Sequence, residues 1–263
     1  MSQSGDYYGD APRKHVGIIG GGSSAIILMK ELQEAGHTFE CFEMLPTFGG
    51  VYVKTYDSTV LTTSSLLTAW SDYSDGKEDK PVFWTADEYL VYVKAFAEKF
   101  DLLKNINFST EVTTVRKDMS SGKWLMTIQR GIPYDGVGRT VAVPDRTSEY
   151  QPEERAFDAI AVATGTNNHL SLPVFPGQER FKGEIIHSER YRNAEYFKGK
   201  RVLVIGAGES GSDIINDISK FAAQTAIAIR GKHGHLIPRI QGDGRVTDLN
   251  TNRCRYSNPH VFG

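Results

Sequence analysis

His15-Val-Gly-Ile-Ile-Gly-Gly-Gly-Ser-Ser-Ala25 is the stretch that decides the fold of this chain. His15 to Ile19 read as a buried strand. From Ser23 to Ala35 apolar residues return at helical intervals, at Ala25, Leu28, Leu32 and Ala35. Gly36 closes that helix, and Thr38 to Glu43 returns as a second strand. Strand, helix and strand within about thirty residues make a βαβ unit, whose right-handed crossover requires a parallel sheet with covered faces. The fold class is therefore α/β.

The pattern occurs twice. Arg201 to Ile205 read as a buried strand, Gly206-Ala-Gly208-Glu-Ser-Gly211 as a glycine loop, Glu209 to Phe221 as a helix and Thr225 to Ile229 as the returning strand. The chain thus predicts two Rossmann-like dinucleotide-binding units, the second incomplete.

Between them, residues 44 to 80 form a long irregular stretch whose Trp70 and Tyr73 favour a site-lining segment over disorder. Thr85 with Glu88 has capping-box spacing and opens a helix with Tyr89, Val93, Phe96 and Phe100 on its apolar face. Short β-rich runs at 107–115, 124–129 and 140–143 predict an antiparallel meander inserted on the parallel sheet. Phe157 to Ala163 reads as another buried strand, Pro173 and Pro176 mark a linker, and Glu184 to His187 reads as a short strand. The expected organisation is a flexible tail over 1–14, a first domain over 15–172 with the meander at about 106–150, and a partial second domain over 173–263.

The chain has 263 residues, with 30 Lys plus Arg against 32 Asp plus Glu and a formal charge of −2, which gives no electrostatic grip on nucleic acid or anionic lipid. Cys41 and Cys254 have no spacing suited to a disulfide framework, a metal site or a dithiol centre. No apolar run approaches a membrane span and the N-terminus lacks a signal-peptide core, so a soluble cytoplasmic protein acting on a small molecule is expected.

The chemistry sits in the loops. Gly20, Gly21, Gly22, Ser23, Ser24 and Ala25 form GxGxxA between a strand and a helix, where backbone N–H groups and the helix dipole can receive a pyrophosphate. An ordinary tight turn is the competing reading. Glu43, at the end of the next strand, is placed to accept hydrogen bonds from an adenosine ribose, and so favours the nucleotide. The second unit carries Arg230 at the corresponding position. Arginine there suits a 2′-phosphate that a carboxylate would repel, so the first site should take FAD or NAD and the second NADPH; a solvated strand-end charge is the alternative.

One segment is more specific. Phe181-Lys-Gly183-Glu-Ile-Ile-His187-Ser-Glu-Arg-Tyr191 fits FxGxxxHxxxY, the fingerprint of flavin-containing monooxygenases, and the order of the other motifs is also that family's. The chain resembles that family from Val16 onward. The resemblance implies that NADPH reduces bound FAD, and that a flavin 4a-hydroperoxide then delivers one oxygen atom from O2 to a soft N or S nucleophile of a small molecule. It implies that Gly20 to Ala25 and Glu43 hold FAD, that Val51 and Tyr52 lie beside the flavin, and that Thr164 and Gly165 line the cofactor. Gly206, Gly208, Ser210, Gly211, Ser212, Asp213 and Arg230 would meet NADPH. Phe181, His187 and Tyr191 would organise the junction between flavin and NADPH domains rather than transfer protons. Thr62, with Thr63 beside it, stands where many relatives place a flavin-side asparagine, and is the candidate catalytic position.

The residues after Gly211 are too few to complete such a protein, so a truncated product is expected, pairing as a homo-oligomer or with a complementing C-terminal half. The rival enzyme is a Baeyer–Villiger monooxygenase, whose fingerprint usually carries Trp where this chain has Tyr191. The rival of another class is a non-catalytic flavin- or nucleotide-binding protein.

Overall fold

Both glycine-punctuated apolar runs fold as βαβ units. The computed structural model describes residues 12–77, 79–131, 151–166, 170–231 and 239–250. Its elements are β1 (His15–Ile19), α1 (Ser23–Glu34), β2 (Thr38–Phe42), α2 (Ser65–Thr68), α3 (Ala86–Lys99), β3 (Ile106–Asn107), β4 (Thr110–Lys117), β5 (Trp124–Arg130), β6 (Glu153–Phe157), β7 (Ala159–Val162), β8 (Arg201–Ile205), α4 (Glu209–Ile218) and β9 (Gln224–Ala228). They divide between two compact units, 1–54 with 90–170 and 55–89 with 171–263. The irregular segment 55–89 thus groups with the later part of the chain.

In the first unit a parallel sheet runs β3-β2-β1-β7. His15 pairs with Thr38 and Val16 with Ala159, so β1 is flanked on both sides. β4, β5 and β6 form the antiparallel meander. It packs against the sheet through Phe42, Met126, Ile128 and Phe157. The contact is tight at Gly17, where a Cβ would lie 2.8 Å from Phe157 and 2.9 Å from Met126. Only a residue without a side chain lets the meander this close.

Two expectations change here. Phe157 ends the meander, pairing with Trp124, and the parallel strand starts after Asp158. One apolar run had been read as one strand, yet its two ends serve different sheets. The buried positions of α1 are Ala25, Ile26, Met29 and Lys30, while Leu28, Leu32 and the C-cap Ala35 are half-buried. Helix phase is set by the glycine loop at its start, which carries Ala25 and Ile26 together into the core. The run 140–143 and the tail residues 1–11 lie outside the described residues.

In the second unit β8 and β9 pair in parallel, from Arg201 with Gln224 to Ile205 with Ala228. α4 buries Ile214 and Ile218 in a cluster with Tyr191 and Ala194. A parallel sheet is ordinarily covered on both faces. Here Leu203 (59% exposed) and Ile205 (56%) leave one side of β8 open. Glu184 to His187 is not a strand: His187 Nδ1 accepts the Glu189 N–H at 3.2 Å and starts a 3-10 turn, Ser188–Arg190. Side-chain capping of this turn takes the place of strand pairing.

The capping box at Thr85 is formed. Glu88 Oε2 accepts the Thr85 N–H at 2.8 Å, and Thr85 Oγ1 accepts the Glu88 N–H at 3.2 Å. A Thr85→Ala variant should therefore unfold with a stability lower by about 1 kcal/mol in a urea titration, and Thr85→Ser should recover most of it.

Candidate functional site

The first unit brings four separated stretches together. Gly20 N–H donates to Phe42 O at 2.8 Å, Ala163 N–H to Ile19 O at 2.8 Å, and Gly49 N–H to Gly21 O at 3.0 Å. A Cβ on Gly20 would stand 2.5 Å from Ala163 O, and one on Gly50 would stand 3.2 Å from Gly22 Cα. The strand ends of β1, β2 and β7 and the Gly49-Gly50 segment therefore meet around backbone alone. Gly165 lies in the turn after β7 and Thr164 beside it.

α1 starts at this meeting point. Its N-cap is Gly22, with no side-chain cap and no acidic residue in the first turn. A first turn without acidic residues favours a phosphate at the positive end of the helix. Ser23 and Ser24 sit in that turn and Ala25 is fully buried beneath it.

Glu43 follows β2 and is buried. Its Oε2 accepts the Gly21 N–H at 2.6 Å and its Oε1 the Leu45 N–H at 2.8 Å. A carboxylate has about four acceptor positions, so two bonds fix the group and leave capacity for a diol. Neighbouring Cys41 donates to Gly20 O at 3.3 Å. Burial first, and the Glu43 charge second, push its thiol up to about 12, so it serves as packing rather than as a nucleophile. Val51 and Tyr52 lie in a 3-10 turn, Gly50–Val53, Val51 exposed and Tyr52 half-buried.

The second unit repeats the cradle. Gly206 takes a φ of 105° and its N–H donates to Ala228 O at 2.9 Å. A Cβ on Gly211 would stand 2.2 Å from Gly206 O, so the third glycine lets α4 pass directly over the loop. Gly208 is an N-cap without a side-chain cap, though Glu209 adds an acidic group in the first turn. Ser210 is exposed, Ser212 is half-buried, and Arg230 is exposed just past β9.

Asp213 of α4 has two side-chain partners in its own unit. Arg239 Nη1 and Nη2 grip its two oxygens at 2.9 and 2.8 Å, and Tyr56 donates to it at 3.2 Å. Thr62 and Thr63 are exposed and belong to the second unit, with Thr63 Oγ1 2.7 Å from Thr68 Oγ1.

The FxGxxxHxxxY residues separate in role. Tyr191 is 2% exposed, stacks on Phe197 and meets Tyr56 edge-on, and donates to Asp217 of α4 at 2.6 Å. Phe181 is 60% exposed, its ring lying over Gly183 where a Cβ would be only 2.5 Å away. Within its unit the tyrosine therefore anchors α4. Sequence reasoning missed Asp217, Arg239 and Asp248, because their partners lie far away in the chain. Among the described residues no cluster could hold a metal ion, and no helix is long and apolar enough to cross a membrane.

Residues 13–258 match the model of the FMO-like family, described as flavin-binding monooxygenase-like. Among curated relatives, the N-oxide-forming dimethylaniline monooxygenase 2 of Macaca mulatta is 38% identical over 251 residues, covering 89% of this chain and 43% of the relative. The 4-hydroxybenzoate brominase (decarboxylating) of Pseudoalteromonas luteoviolacea is 36% identical over 228 residues, covering 86% and 40%. The structure of S-allyl-L-cysteine S-oxygenase from Allium sativum superposes with a TM-score of 0.71 at 25% identity, over 88% of this chain and 54% of that one. The chain thus spans less than half the length of the curated relatives it matches.

Proposed function

This chain belongs to the flavin-binding monooxygenase-like family, whose cofactors are FAD and NADP(H), and from that premise we propose an oxygenase acting on the N or S atom of a small molecule. NADPH and O2 are its co-substrates. The observation that carries the reading is the pair of glycine loops, each leading into a helix whose N-cap glycine has no side-chain cap. The N-oxide-forming and S-oxygenase relatives support a heteroatom acceptor over the insertion of oxygen beside a carbonyl.

In this reading residues 15–172 carry the flavin domain and 173–263 part of the NADPH domain. Gly20, Gly21, Gly22, Ser23, Ser24 and Ala25 receive the FAD pyrophosphate, and Glu43 holds the adenosine ribose. Val51, Tyr52, Thr164 and Gly165 line the isoalloxazine side, and Thr62 and Thr63 stand at the chain position where many relatives carry a flavin-side asparagine. Bound FAD, once reduced, supplies the oxygen activation. The chain's own residues bind, orient and exclude water. Gly206, Gly208, Ser210, Gly211 and Ser212 receive the NADPH pyrophosphate and Arg230 the 2′-phosphate. Asp213 acts from behind that loop.

The test is the visible spectrum of the purified protein, followed anaerobically after adding NADPH or NADH. A flavin spectrum that NADPH bleaches faster than NADH is expected; soluble protein that takes up no FAD would sink the reading. Arg230→Ala should weaken NADPH binding about tenfold or more and leave NADH unchanged, since an arginine bond to a charged partner is worth about 1.5–3 kcal/mol. Equal losses for both nucleotides would return Arg230 to a solvated strand-end charge.

A further inference from the structure

We propose that Arg239 is a positioning residue that ties the segment carrying Thr62 and Thr63 to the helix of the second glycine loop, so that nucleotide bound at that loop orders the segment. The proposal rests on the reading that residues 206–211 receive NADPH.

The segment is gripped from both ends. Arg239 Nε donates to Leu61 O at 2.9 Å and Nη2 to Val60 O at 2.9 Å. The Leu61 carbonyl belongs to the planar peptide that leads into Thr62, so fixing that oxygen fixes the entry to the threonine. At the far end, Asp248 Oδ2 accepts the Ser64 N–H at 2.6 Å. Arg239 and Asp248 come from one small turn, closed by the Ile240 to Val246 bridge and by Thr247 N–H donating to Arg239 O at 2.8 Å.

The same guanidinium reaches α4. Its fork holds both Asp213 oxygens while its remaining N–H groups hold the two carbonyls. A rigid planar group with five donors can make such a junction; a lysine ammonium cannot. The Arg239 and Asp213 side chains are only 29% and 21% exposed, so water screens the pair less than a surface ion pair. Asp213 follows the loop by a single helical turn, within α4. A chain of bonded groups thus runs from the phosphate-binding loop through α4, Asp213 and Arg239 to the peptide before Thr62.

Hydrogen–deuterium exchange of a peptide spanning 58–66, measured on the FAD-loaded chain with and without NADP+, tests the link, with calorimetry reporting NADP+ binding. Wild-type exchange should slow about tenfold on NADP+ addition, and in Arg239→Gln the NADP+ effect should fall below about twofold while binding heat persists. Arg239→Lys keeps a charge for Asp213 but gives up the carbonyl bonds, and should lose the effect too; it decides the matter if Arg239→Gln loses its flavin colour. A residue that merely supported the fold would raise exchange equally in both states and leave the NADP+ effect intact, which would overturn the proposal. Wild-type binding heat without slowing would overturn it alone. Absence of binding heat in the wild type would remove the nucleotide reading and the positioning role together.

Discussion

A Gly20→Ala variant is expected to emerge from purification colourless while the wild type is yellow. Alanine at this position would keep a φ near 100° and place its Cβ 2.5 Å from Ala163 O. Backbone strain of this kind and overpacking against a carbonyl together come to about 3 kcal/mol, or roughly a hundredfold in FAD affinity if the loop yields instead of the sheet. The loop must yield, because β1 is hydrogen-bonded to strands on both sides and Ala163 N–H is bonded to Ile19 O. Gly76→Ala is the control. It shares a positive φ, 72°, but a Cβ there meets nothing within 4 Å, so it should retain its flavin. Equal flavin content in Gly20→Ala and wild type would show that this loop does not cradle the pyrophosphate.

Tyr191→Ala should destabilise the second unit by about 4 kcal/mol, enough to uncouple it in a thermal or urea melt. The ring fills a cluster with Ala194, Ile214 and Ile218, and its removal leaves a cavity beneath α4. Tyr191→Phe keeps the volume and removes one hydrogen bond from Asp217, which retains Ser58 and Lys220, so about 1 kcal/mol should go. The hydrogen bond also sets a pH window. Burial acts to raise the Asp217 pKa, but hydrogen bonds from Tyr191 and Ser58 outweigh it and hold the carboxyl below its usual range. Burial and that same bond push the Tyr191 hydroxyl well above its usual range. A depressed acid stabilises the fold above its unfolded pKa and stops doing so as pH falls through the folded value. A raised phenol stabilises it fully below its unfolded pKa and stops doing so as pH rises through the higher folded value. The pair is therefore at full strength between about pH 4 and pH 10 and weakens beyond both limits. Tyr191→Phe should flatten both flanks of the stability–pH curve. Unchanged flanks would remove Asp217 and Tyr191 from the account of this unit.

Tyr191 also separates two readings of one motif. As a fingerprint residue it stood for the family and for heteroatom oxygenation over Baeyer–Villiger chemistry. In the structure its ring is core and its hydroxyl is bonded to Asp217 of α4. The acceptor preference accordingly rests on the relatives and not on this side chain.

The amino-acid sequence by itself determined what short-range physics determines. β8 starts and ends where its apolar run does, β1 likewise, and the glycines of both loops fall between strand and helix because tight turns and close backbone approach need residues without side chains. The capping box at Thr85 was equally legible, since its partners are three residues apart. Tertiary structure alone decided the rest. Phe157 went to the meander because Trp124 was there to pair with it, and residues 184–187 lead into a 3-10 turn that His187 caps. Asp213 turned to an arginine 26 positions away, and that arginine to carbonyls 178 and 179 positions away. Local patterns encode turns, periods and caps because those interactions close within a few residues. A buried polar junction is specified only when packing brings its distant partners within hydrogen-bonding distance.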